Sequence, residues 1–181
     1  MDLTEKPIKQ EYIYKGKILN IRVDDALLPD GGSAKREVVE HNGGVMIAPL
    51  DDDYNLYFVE QFRYPYMEIV TELPAGKLEK GEEALSAGMR ELKEETGATA
   101  DNITSLGKLY PSPGYTSEII YLYLARGLSF GEQELDFDEF LEIKKIHLDK
   151  AVKMVMDGEI PDSKTQVAIL KIKLLKDEGL I

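Results

Sequence analysis

Between Gly76 and Ala98 the chain reads GKLEKGEEALSAGMRELKEETGA, and three of its glutamates, Glu91, Glu94 and Glu95, fall within five residues. On a helix, at ~100° per residue, Glu91 and Glu95 lie ~40° apart and one turn apart along the axis, with Glu94 ~60° from Glu91. Ala84 and Gly88 share that line, so the surface leading to the carboxylates is expected to be small and open. The line borders an apolar stripe of Leu85, Met89, Leu92 and Thr96, which should face the core. Glu91 and Glu95 therefore belong at the core's edge, where carboxylates drawn out of water need compensation. Arg90 can pair with Glu94 or reach back to Glu82, but it is expected to point away from the Glu91–Glu95 line. Hard oxygen donors without histidine or cysteine suit Mg²⁺, or Mn²⁺ as a substitute, ions that share ligation with substrate phosphates. Against this stands the ordinary reading of such a helix, a solvated acidic face with i,i+4 salt bridges to Arg90 and Lys93.

The helix has sequence signals at both ends. Gly81 is a plausible N-cap, Glu82 and Glu83 place negative charge in the first turn, and Gly97 stands where a C-cap glycine belongs. Upstream, enrichment in β-branched and aromatic residues predicts two strands around Lys15-Gly16-Lys17, a turn at Pro29-Asp30-Gly31-Gly32, and a third strand at KREVVEH. The apolar runs VMIAPL and LYFVEQF predict deeply buried central strands. Downstream, SLGKLY and EIIYLYLA read as strands flanking the loop PSPGYTSE, and FLEIKKIHL as another. LDKAVKMVMDG and SKTQVAILKIKLLKDEG read as helices ending near glycine. Strands and helices mix without a regular βαβ repeat, which predicts an α+β chain, with helices on a mixed sheet as an α/β/α sandwich.

Composition narrows the function. The 181 residues are 43% hydrophobic and 31% charged, with a net charge of −12. That is enough apolar material for one core, and the acidic surface argues against a nucleic-acid platform while leaving room for a small phosphate ligand. No apolar run approaches a membrane span, no secretory signal is visible, and there is no cysteine. A cytoplasmic protein with neither membrane nor nucleic-acid partner is the expectation.

Gly76, Glu82, Arg90, Glu91, Leu92, Glu94, Glu95, Gly97 and Ala98 fill the pattern G-x5-E-x7-R-E-U-x-E-E-x-G-U, which resembles the Nudix box of the Nudix hydrolases. Only Ala98 departs mildly, being small where a larger aliphatic is usual. Pro113, sixteen residues after Gly97 within SPGYTSE, looks like the ADP-ribose pyrophosphatase subfamily, as do EQFRYP running into ELPAGKLEKGE and the acidic stretch GEQELDFDEFLEI. The resemblance implies an N-terminal β-sheet domain (residues 1–42) exchanged within a homodimer, followed by a Nudix hydrolase domain (residues 43–181). It implies Mg²⁺-dependent hydrolysis of ADP-ribose to AMP and ribose 5-phosphate. The alternatives are another nucleoside diphosphate sugar as substrate, or a nucleotide-sensing Nudix protein without turnover.

By the same resemblance, Glu91 and Glu95 bind the metal, with Glu94 and the Ala75 carbonyl as further ligands. Glu82 and Arg90 orient the helix, and Gly76 lets the backbone bend. Arg63 contacts the pyrophosphate or adenine side of the substrate, Glu72 matches a substrate-contacting glutamate, and Arg36, Pro113 and Gly114 are further substrate contacts. Glu139 takes the place of the catalytic glutamate, with Glu134, Asp136 and Asp138 competing. Glu118 is a metal-shell or loop-anchoring residue, Tyr12, Tyr14 and Tyr64 are candidates to stack on adenine, and His41 and His147 are expected in packing or surface roles.

Overall fold

The structure, a computed structural model, describes residues 2–135, 137 and 139–181. It divides into two compact units, one of residues 1–43 with 110–119 and one of residues 44–109 with 120–181.

In the first unit β1 (Lys6–Lys15), β2 (Leu19–Leu27) and β3 (Ser33–His41) form an antiparallel sheet in the order β1-β2-β3. The predicted turns are both present, closed by Gly16 N–H to the Leu19 carbonyl (3.0 Å) and Leu28 N–H to the Gly32 carbonyl (2.8 Å). β1 is exposed along its whole length. The buried Asp24 on β2 is held by Arg22 Nε (3.0 Å) and Gln10 Nε2 (3.2 Å). On the free side of β3, Val39 N–H donates to the Tyr115 carbonyl (2.8 Å) and Ser117 N–H donates to the Val39 carbonyl (2.9 Å), zipping the SPGYTSE loop to this sheet.

The second unit holds β4 (Gly44–Pro49), β5 (Asn55–Arg63), β6 (Glu68–Glu72), β7 (Ala75–Lys77), α1 (Ala84–Thr96), β8 (Ala98–Leu109), β9 (Ile120–Phe130), β10 (Leu141–His147), α2 (Leu148–Met156) and α3 (Ser163–Asp177). A mixed sheet runs β7-β4-β9-β8, with β4 parallel to β9, and an antiparallel sheet runs β10-β5-β6. Because side chains alternate along a strand, β4 and β9 feed two cores. Met46, Ala48, Leu122 and Leu124 pack with Ala151 of α2 and Ala168, Ile169 and Ile172 of α3. Ile47 and Ala125 pack with Leu92 of α1. This gives the expected helix–sheet–helix layering, with the apolar run of β4 buried throughout. No helix among the described residues is long and apolar enough to cross a membrane.

Several local expectations are corrected. β6 and β7 lie in ELPAGKLEKGE, where strands of five and three residues carry too little periodicity to announce themselves. β8 starts at Ala98, directly after the helix, although its exposed face is polar. α1 begins at Ala84 with Glu83 as N-cap, its carboxylate accepting from Ser86 N–H, because Gly81 is spent on a left-handed turn (φ 84°). The buried face of α1 is also rotated from the predicted stripe: Met89 is 51% exposed, while Ala87, Gly88, Glu91, Leu92, Glu95 and Thr96 are buried. Small residues explain the rotation. A Cβ at Gly88 would lie 3.1 Å from Val45 Cγ2, so the Ala84–Gly88 line is a packing contact with β4 and not an open approach.

Candidate active site

α1 and β7 set the centre of the site. Rotation of α1 onto its small residues carries two carboxylates into the protein, leaving Glu91 7% and Glu95 3% exposed. Glu95 Oε2 accepts from the Ala75 N–H (3.1 Å). Glu91 lies over Gly76, where a Cβ would stand 1.7 Å from Oε1. Gly76 is paired in register with Val45, and what its missing side chain provides is room for a carboxylate, in place of the expected bend.

The charge around these groups is unbalanced. Burial, with Glu91 adding repulsion, pushes the Glu95 carboxyl up to about 8, although the Ala75 N–H pulls it down. Burial also raises Glu91, against the attraction of Arg90. Here the expectation for Arg90 is corrected. Its Nη1 reaches Glu91 Oε1 (2.9 Å) as well as Glu94 Oε2 (2.7 Å), and its Nε lies 3.2 Å from Glu82. A flexible side chain spanning adjacent helical positions is not confined to the direction its Cβ takes. Burial works against the arginine's charge, yet Glu82, Glu91 and Glu94 hold it firmly protonated. Arg90 thus serves three carboxylates, and Glu95 has no cation bonded to it among the described residues.

Two more groups reach the pair electrostatically. Glu139 repels both Glu91 and Glu95, and Arg63 attracts Glu95. Of the competing carboxylates, Glu134 pairs with Lys93 at the surface (2.7 Å), and Asp136 and Asp138 lie outside the described residues. Arg63, at the end of β5, grips Glu72 with a fork, Nε to Oε1 at 2.5 Å and Nη2 to Oε2 at 2.8 Å. Glu72 is 2% exposed, and its Oε2 also accepts from Lys164 of α3. Both its oxygens are therefore committed to protein groups, which gives Glu72 the task of holding Arg63. Burial alone would raise its carboxyl, but Arg63 and Lys164 outweigh that and hold it below the usual range. Lys164 and Thr165, which accepts from Leu73 N–H (2.9 Å), were invisible in the sequence, because 92 residues separate each from its partner. Gln133 was also missed. Its side-chain N–H donates to the Glu95 carbonyl (2.6 Å), while Gly131 and Glu134 N–H bond the Gly97 and Glu94 carbonyls (2.7 and 3.0 Å).

Arg36, Pro113, Gly114 and Glu118 belong to the first unit. Arg36 pairs with Glu5 (2.6 Å), a Cβ at Gly114 would meet only open space, and Glu118 lies 3.4 Å from His41 Nδ1. Tyr12, Tyr14 and Tyr64 are all exposed. His147 caps α2, its Nδ1 accepting from Asp149 N–H (3.2 Å).

Among the described residues no three acidic or histidine side chains already converge as a metal cage. The donors nonetheless suit a hard divalent cation: two buried carboxylates, one without a bonded cation, beside a cradle that a single methyl group would fill.

A helix–sheet–helix unit that buries paired glutamates of one helix against a short strand defines a class. Residues 40–165 match the NUDIX domain family and residues 5–39 match the nucleoside diphosphate sugar hydrolase N-terminal domain. The chain belongs to the Nudix family and is a Nudix hydrolase. It is 44% identical to the ADP-ribose pyrophosphatase of Bacillus subtilis (strain 168), over 95% of this chain and 94% of that protein. It is 41% identical to the methanol dehydrogenase activator of Bacillus methanolicus, over 94% and 93%. A solved ADP compounds hydrolase shares the fold, with a TM-score of 0.86 at 23% identity and full coverage of both chains.

Proposed function

We propose that the protein hydrolyses ADP-ribose at its pyrophosphate bond, with Mg²⁺, to AMP and ribose 5-phosphate. The observation that carries this is the buried Glu91–Glu95 pair over Gly76, short of positive charge and within electrostatic reach of Arg63. Glu91 and Glu95, with Glu94 and the Ala75 backbone, would hold the cation. Bound there, Mg²⁺ supplies charge neutralisation of phosphate oxygens and acidifies water.

The chain's own groups account for the remaining steps. Arg90 ties Glu82, Glu91 and Glu94 together and fixes the carboxylates relative to the helix axis. Arg63, oriented by Glu72, offers the rest of its guanidinium to the pyrophosphate. Glu139 accepts the proton of the attacking water. The water oxygen bonds to phosphorus as the bridging P–O bond breaks, and the departing phosphate leaves as the second product. Arg36, Pro113 and Gly114 are further substrate contacts in this reading.

A homodimer is part of the same reading. β1 exposes Ile8, Tyr12, Ile13 and Tyr14 along its length, and the β5–β6 hairpin of the second unit exposes Phe62, Tyr64, Tyr66, Met67 and Ile69. Apolar surface of this extent is what a second copy with exchanged N-terminal sheets would cover.

The test is turnover of ADP-ribose, ADP-glucose, GDP-mannose, NADH, diadenosine polyphosphates and 8-oxo-dGTP, with and without Mg²⁺, products resolved by chromatography. ADP-ribose should lead and yield AMP. Another nucleoside diphosphate sugar in the lead would retain the site and replace the substrate, a reading favoured by the match of residues 5–39. Unchanged turnover in Glu139→Gln would remove that residue as the base.

A further inference from the structure

Lys164 occupies a position that local preference opposes. It sits in the first turn of α3, where the helix dipole disfavours a cation, and its side chain is only 12% exposed. Its ammonium is accounted for by two acceptors: Glu72 Oε2, and Asp162 Oδ1 at 2.9 Å. Asp162 is at the same time the N-cap of α3, its other oxygen accepting from Thr165 N–H (2.9 Å). The first turn of α3 is thus built to deliver one cation to one buried carboxylate.

That carboxylate is the one that orients Arg63. Both its oxygens take the guanidinium fork, and Oε2 is shared between Arg63 Nη2 and Lys164. Alone, Arg63 and Glu72 would make a neutral pair in a region already occupied by Glu91, Glu95 and Glu139. With Lys164, two cations face one buried carboxylate, and Asp162 also pairs with the ammonium. We propose that Lys164 is a positioning residue for substrate binding: it shares the Glu72 carboxylate, fixes its plane, and leaves the positive charge of Arg63 for the pyrophosphate. This rests on the reading of Arg63 as a pyrophosphate contact. Removing Lys164 would not unmake the Arg63–Glu72 fork. It would leave Glu72 to draw on Arg63 alone, and weaken a contact made equally in the ground and transition states, which appears in KM.

A double-mutant cycle decides the matter, using steady-state kinetics on the best nucleoside diphosphate sugar of the panel, with melting curves for every variant. Lys164→Met should raise KM about tenfold with kcat nearly unchanged, the size of effect expected for one charge-assisted bond. Lys164→Arg should restore most of it. In an Arg63→Met background, which itself raises KM, adding Lys164→Met should cost less than about twofold, because the residue it acts through is gone. Full, additive losses in the double variant would overturn the inference while leaving Arg63 in place. So would a Lys164→Met protein that loses kcat and melting temperature at unchanged KM. An Arg63→Met enzyme with wild-type KM would overturn the reading of Arg63 and this inference together. Should Lys164→Met melt below the assay temperature, Lys164→Gln, which keeps a hydrogen-bond donor without charge, carries the cycle.

Discussion

Glu95 makes the metal-free protein sensitive to pH in a direction opposite to that of most paired carboxylates. Its folded value is raised from 4.5 to about 8, so between those values the folded chain holds a proton that the unfolded chain has released. Stability therefore falls as pH rises across that window. Glu72 and Asp51, held low by their partners, act the other way, losing their stabilisation as pH drops below the ordinary carboxylate range. With a chelator present, the melting temperature should decline from pH 5 to pH 9. Added Mg²⁺ should raise it more at pH 8.5 than at pH 6, since the ion must displace that proton. Glu95→Gln should flatten the decline and at pH 9 stabilise the chelated protein by roughly 1–3 kcal/mol, while cutting kcat at least ~100-fold. Gly76→Ala would set a methyl group into the Glu91 carboxylate; calorimetry should show Mg²⁺ affinity lost and about 1–3 kcal/mol of stability with it. The glutamates were legible in the sequence because the pattern resembling the Nudix box singles them out, whereas helical spacing alone left them open to an ordinary solvated acidic face. The reach of Arg90 to Glu91, and the union of Glu72 with Lys164, depend on side-chain paths and on distant chain segments that no local pattern encodes.

At the scale of elements, the end of α1 is where the acidic segment is fastened. Gly97 closes the helix in the left-handed region (φ 67°), and a Cβ there would meet the Gly131 carbonyl at 2.4 Å. Segment 131–134 then bonds three carbonyls of the last turn, groups that a helix end otherwise leaves unpaired. Helix and acidic segment are thus joined a few residues before Glu139, the base of the proposed reaction. Gly97→Ala combines a disfavoured φ with a clash and should cost at least about 2 kcal/mol. Hydrogen exchange should show the amides of Gly131 and Glu134 losing protection before those of β9. The continuous apolar runs of β4 and β9, and the long α3 segment bounded by glycine, were readable from the chain. The register of α1 was not, because a core built on Ala87 and Gly88 presents no apolar stripe to follow.

At the scale of the molecule, the proposed homodimer rests on the exposed apolar residues of β1 and of the β5–β6 hairpin. Light scattering at micromolar concentration should give twice the 20.4 kDa chain mass. Replacing Ile8 and Ile13 with lysine should shift the protein toward monomer and lower turnover if the first unit's contacts are delivered across the dimer. The first unit is itself assembled from two stretches of chain, since among the described residues β3 obtains its outer hydrogen bonds from Tyr115 and Ser117. During synthesis, at the usual ~5–20 residues per second, that edge of β3 waits roughly 4 to 16 seconds for its partner to be made. For that interval every nascent chain on a polysome carries an open strand edge beside its neighbours', so slow translation of residues 42–117 should be a more sensitive point for yield than any step after release.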